Sequence, residues 1–189
     1  MDSLSNAYKH LKKIKTHRRW VRKFCFEAGL YWQGIVHDLS KYSPIEFLES
    51  VQYFQGDSSP IPACKKDKGY SMAWFHHRGR NRHHWEYWVD NFDEGMNPVK
   101  MPYKYAAEMF CDFLAAGHAY MGKDYNIESE YEWWKSKREK YVIHPDTKAF
   151  IDMAMLIARK IGEENTCKFI KSIYYGNLSY DPKQGWLIQ

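Results

Sequence analysis

Between Leu4 and Phe24 the apolar residues Leu4, Tyr8, Leu11, Ile14, Val21 and Phe24 recur at three- and four-residue steps, and His17 falls in register with them. Only an α-helix of about six turns brings those positions onto one face. The opposite face holds eight Lys or Arg between Lys9 and Lys23, while Asp2 is the only acid before Glu27. An amphipathic helix of this length needs a helical or sheet partner for its apolar stripe. It also raises a chemical question, because a histidine on a buried face must be hydrogen-bonded or bound to something. The basic face suits phosphate groups or nucleic acid, although such a run is ordinarily solvated surface.

The rest of the chain continues in the helical period. The stretch "GLYWQGIVHDLSKYSPIEF" predicts a short second helix after Gly29 that carries His37 and Asp38. A third helix then starts with Ser43 as N-cap, Pro44 in the first position and Glu46 closing a capping box, and runs to about Phe54. "QGDSSPIPACKKDKGY", residues 55–70, reads as a long loop placed to act as a lid, and "DNFDEGMNPVKMP", residues 90–102, as another. A helix is expected from Pro102 to Gly122, one capped by Asn126, and one starting at Pro145 and Asp146. Nowhere does strand alternation persist long enough to build a sheet, and no internal repeat is present. The expectation is an all-α single bundle of about seven to nine helices over residues 1–175, with an irregular C-terminal tail at 176–189.

A chain of 189 residues suits one domain, and a composition 44% hydrophobic and 17% aromatic can bury a real core. The cysteines Cys25, Cys64, Cys111 and Cys167 are scattered with no C-x-x-C pair, which argues against a disulfide framework or a structural zinc. No stretch approaches the about eighteen apolar residues of a membrane span, and "MDSLSNAYKHLKK" lacks the apolar run of a secretion signal. A cytoplasmic protein without membrane partners is expected.

The residues that carry chemistry are dispersed. They are His17 on the first helix, His37 and Asp38 on the second, His76, His77, His83 and His84 in "HHRGRNRHHWEYW", and Asp112 on the helix after Pro102. Asp112 sits among Met109, Ala115 and Ala116, where a carboxylate is costly unless paired or bound to metal. Glu108, one turn earlier on the same face, is placed to orient a ligand or a water. Imidazole with carboxylate suits one or two divalent transition ions of Fe, Mn, Co, Ni or Zn, in a catalytic site that keeps open positions. Adjacent histidines on a helix point about 100° apart, so one ion does not take all four of the cluster. His83 and His84 are the first candidates there and His77 the next, although Gly79 argues against one unbroken helix. Arg78, Arg80 and Arg82 read as phosphate binders, with Asn81 orienting a ligand or water. Trp85, Tyr87 and Trp88 read as core packing, and His10, His118 and His144 as ordinary surface or core histidines.

His17, the His37-Asp38 dipeptide and Asp112 resemble the H…HD…D signature of the HD-domain superfamily. That resemblance implies an all-helical, metal-dependent phosphohydrolase. "HDLSK" is similar to the HDxxK motif of the HD-GYP branch, which implies that Lys41 assists phosphate chemistry. In that branch a His-His pair before the final Asp holds a second metal, which implies His83 and His84 for that role. The Gly-Tyr-Pro tripeptide of the branch is missing, which argues against cyclic dinucleotides as substrates. The blocks "HDLSKYSPIEF" and "AWFHHRGRNRHHWEYW" together resemble an uncharacterised bacterial and phage family of DUF5662 type.

The function expected from these readings is hydrolysis of a nucleotide or other small phosphoester by a metal-activated water. Asp38, Lys41 and Glu108 are its catalytic groups, and Lys41 with the nearby arginines offsets developing charge. Two alternatives use the same residues or the same charge. One is a di-iron HD-type oxygenase, and the other a non-enzymatic module that binds nucleic acid or protein through the basic first helix, with nucleic acid the less favoured partner.

Overall fold

A computed structural model describes residues 3–56, 58–93, 95–175, 178–181 and 185–188. Among them are nine α-helices: α1 (Ser3–Glu27), α2 (Tyr31–Val36), α3 (Pro44–Tyr53), α4 (Pro60–Lys68), α5 (Met72–Arg80), α6 (Tyr103–Met121), α7 (Ile127–Arg138), α8 (Pro145–Ile161) and α9 (Glu163–Tyr174). Short 3₁₀ turns occupy Leu39–Tyr42, Trp85–Trp88 and Gly122–Asp124. The chain is all-α in architecture, as its periodicity predicts.

The apolar seam of α1 packs along α6, the most extensive helix pair. Val21, Phe24 and Cys25 meet Ala107, Phe110, Cys111 and Leu114, while Ile151 and Met155 of α8 and Ile170 of α9 close the far side. Each large side chain buried this way contributes about 1.5–3 kcal/mol. The seam differs from the sequence reading at its start. Leu4 and Tyr8 are 78% and 69% exposed, and the buried face begins at His10 and continues through Ile14, His17, Val21 and Phe24. Two histidines therefore lie on it.

Residues 55–70 are not one loop. Ser59 caps α4 by accepting the Ile61 N–H, Pro60 occupies its first turn, and Gly69 at φ +81° closes it. These signals stand in the sequence, but three charged lysines and two prolines obscure the short apolar face they frame. Residues 90–102 contain most of a hairpin, β1 (Val89–Phe92) paired antiparallel with β2 (Gly95–Pro98). The expected irregular tail also pairs where it is described, β3 (Leu178–Asp181) against β4 (Gly185–Ile188); the remainder of 176–189 lies outside the described residues. Both hairpins are four residues a strand, too short for alternation to register in the sequence.

The capping box of α3 is half-formed. Ser43 Oγ accepts the Glu46 N–H at 3.4 Å, but the Glu46 side chain turns to His76 and His77 instead of back to the cap. Among the described residues no helix is long and apolar enough to cross a membrane.

Candidate metal centre

The centre starts at the end of α2. His37 caps that helix with its N–H on Gln33, so His37 and Asp38 sit on the following turn and not on the helix itself. Arg18 fastens the turn from α1, donating to the His37 carbonyl at 2.8 Å and the Ile35 carbonyl at 2.9 Å. Asp38 then adopts φ +56°, the one positive φ at a non-glycine among the described residues. Aspartate tolerates that region better than most residues, and a held left-handed residue commonly marks a site. The turn drives both side chains into the gap between α1 and α6, where His17 and Asp112 wait.

Asp38 faces two groups of histidines. Its Oδ2 lies 3.4 Å from His17 Nε2 and 3.5 Å from His37 Nε2, and Asp112 Oδ1 lies 3.0 and 3.3 Å from the same two nitrogens. Its Oδ1 lies 3.3 Å from His77 Nε2 and 3.5 Å from His83 Nε2. His17, His37, Asp38 and Asp112 each offer one donor atom within 4.8 Å of the others, and so do Asp38, His77, His83 and His84. The structure thus brings together every residue the sequence nominates as a metal ligand.

The donor set fits divalent ions on a further observation. His17 Nε2, His37 Nε2, Asp38 Oδ1, His83 Nε2 and His84 Nε2 are buried and lack a hydrogen-bond partner among the described residues. Their mutual distances are short, but they are not oriented as hydrogen bonds. Buried polar atoms are normally satisfied, and each left unpaired costs about 1–3 kcal/mol. Four imidazole nitrogens around one carboxylate oxygen have the composition that borderline divalent ions satisfy.

The outer nitrogens of three candidate-ligand rings, His37, His83 and His77, face acids. Glu108 Oε1 accepts from His37 Nδ1 at 2.8 Å and lies 3.2 Å from His83 Nδ1. Glu46 accepts from His77 Nδ1 at 2.7 Å and from His76 Nδ1 at 2.6 Å. A carboxylate on Nδ1 fixes the tautomer that presents the Nε2 lone pair inward. Glu108, expected to act as a catalytic group, lies behind His37 and His83 and is not on the wall of the adjoining cavity. Sequence reasoning missed Glu46, because its spacing from Ser43 already had an explanation as a helix cap.

Charge follows the same division. Burial works against a charged His37, but Asp38, Asp112 and Glu108 outweigh it and raise the imidazole to about 10. Burial likewise opposes ionisation of Asp38 and Asp112, yet the facing histidines hold both well below the usual carboxylate range. Glu108 comes down to about 2 against burial through His37 and His83. His77 and His84 shift the other way: burial pushes both down, and for His84 the neighbouring His83 and His77 add to it. Three carboxylates thus hold a second proton on His37, which a cation binding at its Nε2 would displace, while burial favours the neutral, metal-binding form of His77 and His84.

A cavity of about 310 Å³ opens beside the centre, with His17, Asp38, His77, His84 and Asp112 on its wall. Its cations are Lys41, whose Nζ lies 2.7 Å from Asp38 Oδ2, and Lys13, whose Nζ donates to the Ala119 carbonyl at 2.8 Å. The three arginines expected to bind phosphate are elsewhere. Arg78 lies over the Phe75 ring, Arg80 donates to His76, and Arg82 reaches the Tyr105 hydroxyl. None lines the cavity. Asn81 also has a structural task, donating to Ser40 Oγ and the His77 carbonyl at 2.8 Å each and so tying α5 to the turn after Asp38. His10, read as an ordinary histidine, lines the cavity, and burial with the nearby Lys41 charge lowers it to about 4. Trp85 and Trp88 pack against the core as expected; Trp85 also lines the cavity, and Trp88 donates its indole N–H to the Arg82 carbonyl.

An all-helical bundle with histidines and carboxylates gathered on both oxygens of one buried aspartate defines a protein with a centre of metal-binding composition. The chain belongs to DUF5662, a family of unknown function, which matches residues 6–156. That span contains every candidate ligand from His17 to Asp112. No curated protein and no solved structure matches the chain.

Proposed function

We propose that this protein is a metal-dependent phosphohydrolase of HD type that cleaves a small phosphoester, a nucleotide among the candidates. The observation that carries the reading is Asp38 between two histidine groups on the wall of a cavity that also presents two lysines. His17, His37, Asp38 and Asp112 would hold one divalent ion, and Asp38, His77, His83 and His84 a second. When bound, such ions lower the pKa of water and polarise a phosphoryl oxygen. The chain order His17, His37-Asp38, Asp112 supports the HD assignment.

The protein's own groups supply the rest. Lys41 and Lys13 hold the phosphate and offset charge that develops on it, the part first assigned to the arginines. Glu108 and Glu46 keep the imidazoles aligned, so little reorganisation accompanies the reaction. The aromatic walls exclude bulk water and strengthen each of these interactions.

The test is a metal-resolved screen. Protein stripped and reloaded with Mn, Fe, Co, Ni or Zn is assayed for phosphate release from nucleotides and simple phosphoesters, with Asp38→Ala and His37→Ala as blanks. Release that needs metal and disappears in both variants is the expected result. Wild-type rates equal to the blanks for every metal and substrate would remove the hydrolase reading.

A further inference from the structure

We propose that the cavity selects a phosphomonoester bearing one phosphate on an aromatic or other planar group, and discriminates against polyphosphates and plain aliphatic phosphates. This inference rests on the hydrolase reading above and specifies its substrate class.

The first support is the charge count. Lys13 and Lys41 are the cavity's only lysines or arginines among the described residues, and each already spends one of its three ammonium donors on the protein. With the ions of the proposed centre engaged by the phosphoryl group under attack, what remains suits that one phosphate and no further one. A second or third phosphate would meet rings and the carboxylate of Glu86, which also lines the cavity, because the arginines of "RGRNR" point away from it. Negative charge taken from water into such surroundings is strongly disfavoured.

The second support is the wall. Trp74, Trp85, Phe113, Tyr120, Trp133 and Tyr141 line the cavity from elements distant in sequence. Their positions are set by one another: Trp85 stacks on Tyr141 with centroids 5.2 Å apart, and Trp133 meets Phe113 edge-on at 5.1 Å. The wall reaches both the histidines and the lysines: Trp74 lies 4.9 Å from the His84 ring, and the Tyr120 ring 5.1 Å from Lys13 Nζ. A phosphate held at the lysines therefore leaves its ester group among rings. Offset or edge-on ring contact is a gain that an aliphatic ester cannot make. At about 310 Å³ the space is at the small end of ligand sites, enough for one modest planar group.

Non-hydrolysable phosphonates separate this selectivity from turnover. Zn²⁺-loaded protein is titrated by calorimetry with benzylphosphonate and with methylphosphonate, in wild type and in Trp85→Leu, with bound zinc measured in both. Hydrolysis of p-nitrophenyl phosphate, glycerol phosphate and adenosine triphosphate is measured in parallel. Benzylphosphonate is expected to bind about tenfold more tightly than methylphosphonate, and Trp85→Leu to erase most of that preference with zinc content and methylphosphonate affinity unchanged. In turnover, kcat/KM is expected to be highest for p-nitrophenyl phosphate and lowest for the triphosphate. Equal, measurable affinities for the two phosphonates, or preferred turnover of the triphosphate, would overturn the selectivity while the hydrolase reading stands. Tyr141→Leu repeats the comparison if Trp85→Leu loses zinc. Failure of both phosphonates to bind, together with no hydrolysis of any ester, would remove the reading and this inference together.

Discussion

Glu108 Oε1 accepts the Nδ1 hydrogen of His37 at 2.8 Å, and the same oxygen lies 3.2 Å from His83 Nδ1. His37 belongs to one group of candidate ligands and His83 to the other, and their rings stack at 4.1 Å. One carboxylate oxygen therefore aligns both halves of the centre. Glu108→Gln should weaken divalent metal binding about 10–100-fold for both ions. Glu46→Gln, whose partners are His76 and His77, should weaken one ion and spare the other. Cobalt titration followed by optical absorption reads both, and unchanged isotherms for Glu108→Gln would contradict the shared role.

Asp38 offers Oδ2 to His17 and His37 and Oδ1 to His77 and His83. Asp38→Asn keeps the shape and tolerates the φ of +56°, so the fold should persist. Elemental analysis should nevertheless find bound metal reduced to near none, with helical circular dichroism unchanged. Retention of full stoichiometry would show that Asp38 is not the common ligand.

The basic face of α1 divides into unlike parts. Lys12 and Arg19 are exposed, whereas Lys13 is half-buried and lines the cavity. Lys12→Glu with Arg19→Glu should change kcat/KM for a small phosphoester by about twofold at most, while Lys13→Met should raise KM about tenfold or more. Steady-state kinetics at two salt concentrations distinguishes them, and equal effects from both changes would count against the cavity role of Lys13.

Gly117 on α6 leaves room for its neighbours. A Cβ there would stand 2.5 Å from Glu130 Oε2 and against the Tyr125 ring, which cannot readily yield because it packs tilted against His118 with centroids 3.8 Å apart and its hydroxyl is bonded to Glu163. Gly117→Ala should destabilise the fold by about 1–3 kcal/mol through overpacking. Chemical denaturation measures it, and a neutral or stabilising effect would refute the packing argument.

Burial lifts the Glu130 carboxyl from 4.5 to about 8, with Asp112 and Glu163 adding to the shift. The folded state thus holds a proton that the unfolded chain releases. That contribution to stability is complete below pH 4.5 and lost as pH rises through about 8. Glu130→Gln, which cannot ionise, should raise the melting temperature at pH 9 more than at pH 5. An equal difference at both values would exclude the linkage.

Helix periods, caps and ligand types were legible in the sequence because each depends on neighbours within one or two turns. The stripe from Ile14 to Phe24, the cap at Asn126 and the stop at Gly122 are local choices. So was the nomination of His17, His37, Asp38 and Asp112, since polar groups on apolar faces need partners wherever the faces go. Glu46 was hidden for the complementary reason: a local explanation was available for a residue that serves a distant one.

Tertiary structure decided the directions of side chains. Arg78, Arg80 and Arg82 have the right chemistry for phosphate, but the last turns of α5 lay Arg78 over Phe75 and Arg80 on His76, and the turn after it brings Arg82 to Tyr105. Lys13 and Lys41, separated by a whole helix and two turns, meet at one cavity instead. Sequence alone determined the helical bundle and the donor atoms available to it. The packing of α1 against α6 and the left-handed turn at Asp38 decided which donors converge, because convergence depends on chain direction between elements, which no local pattern encodes.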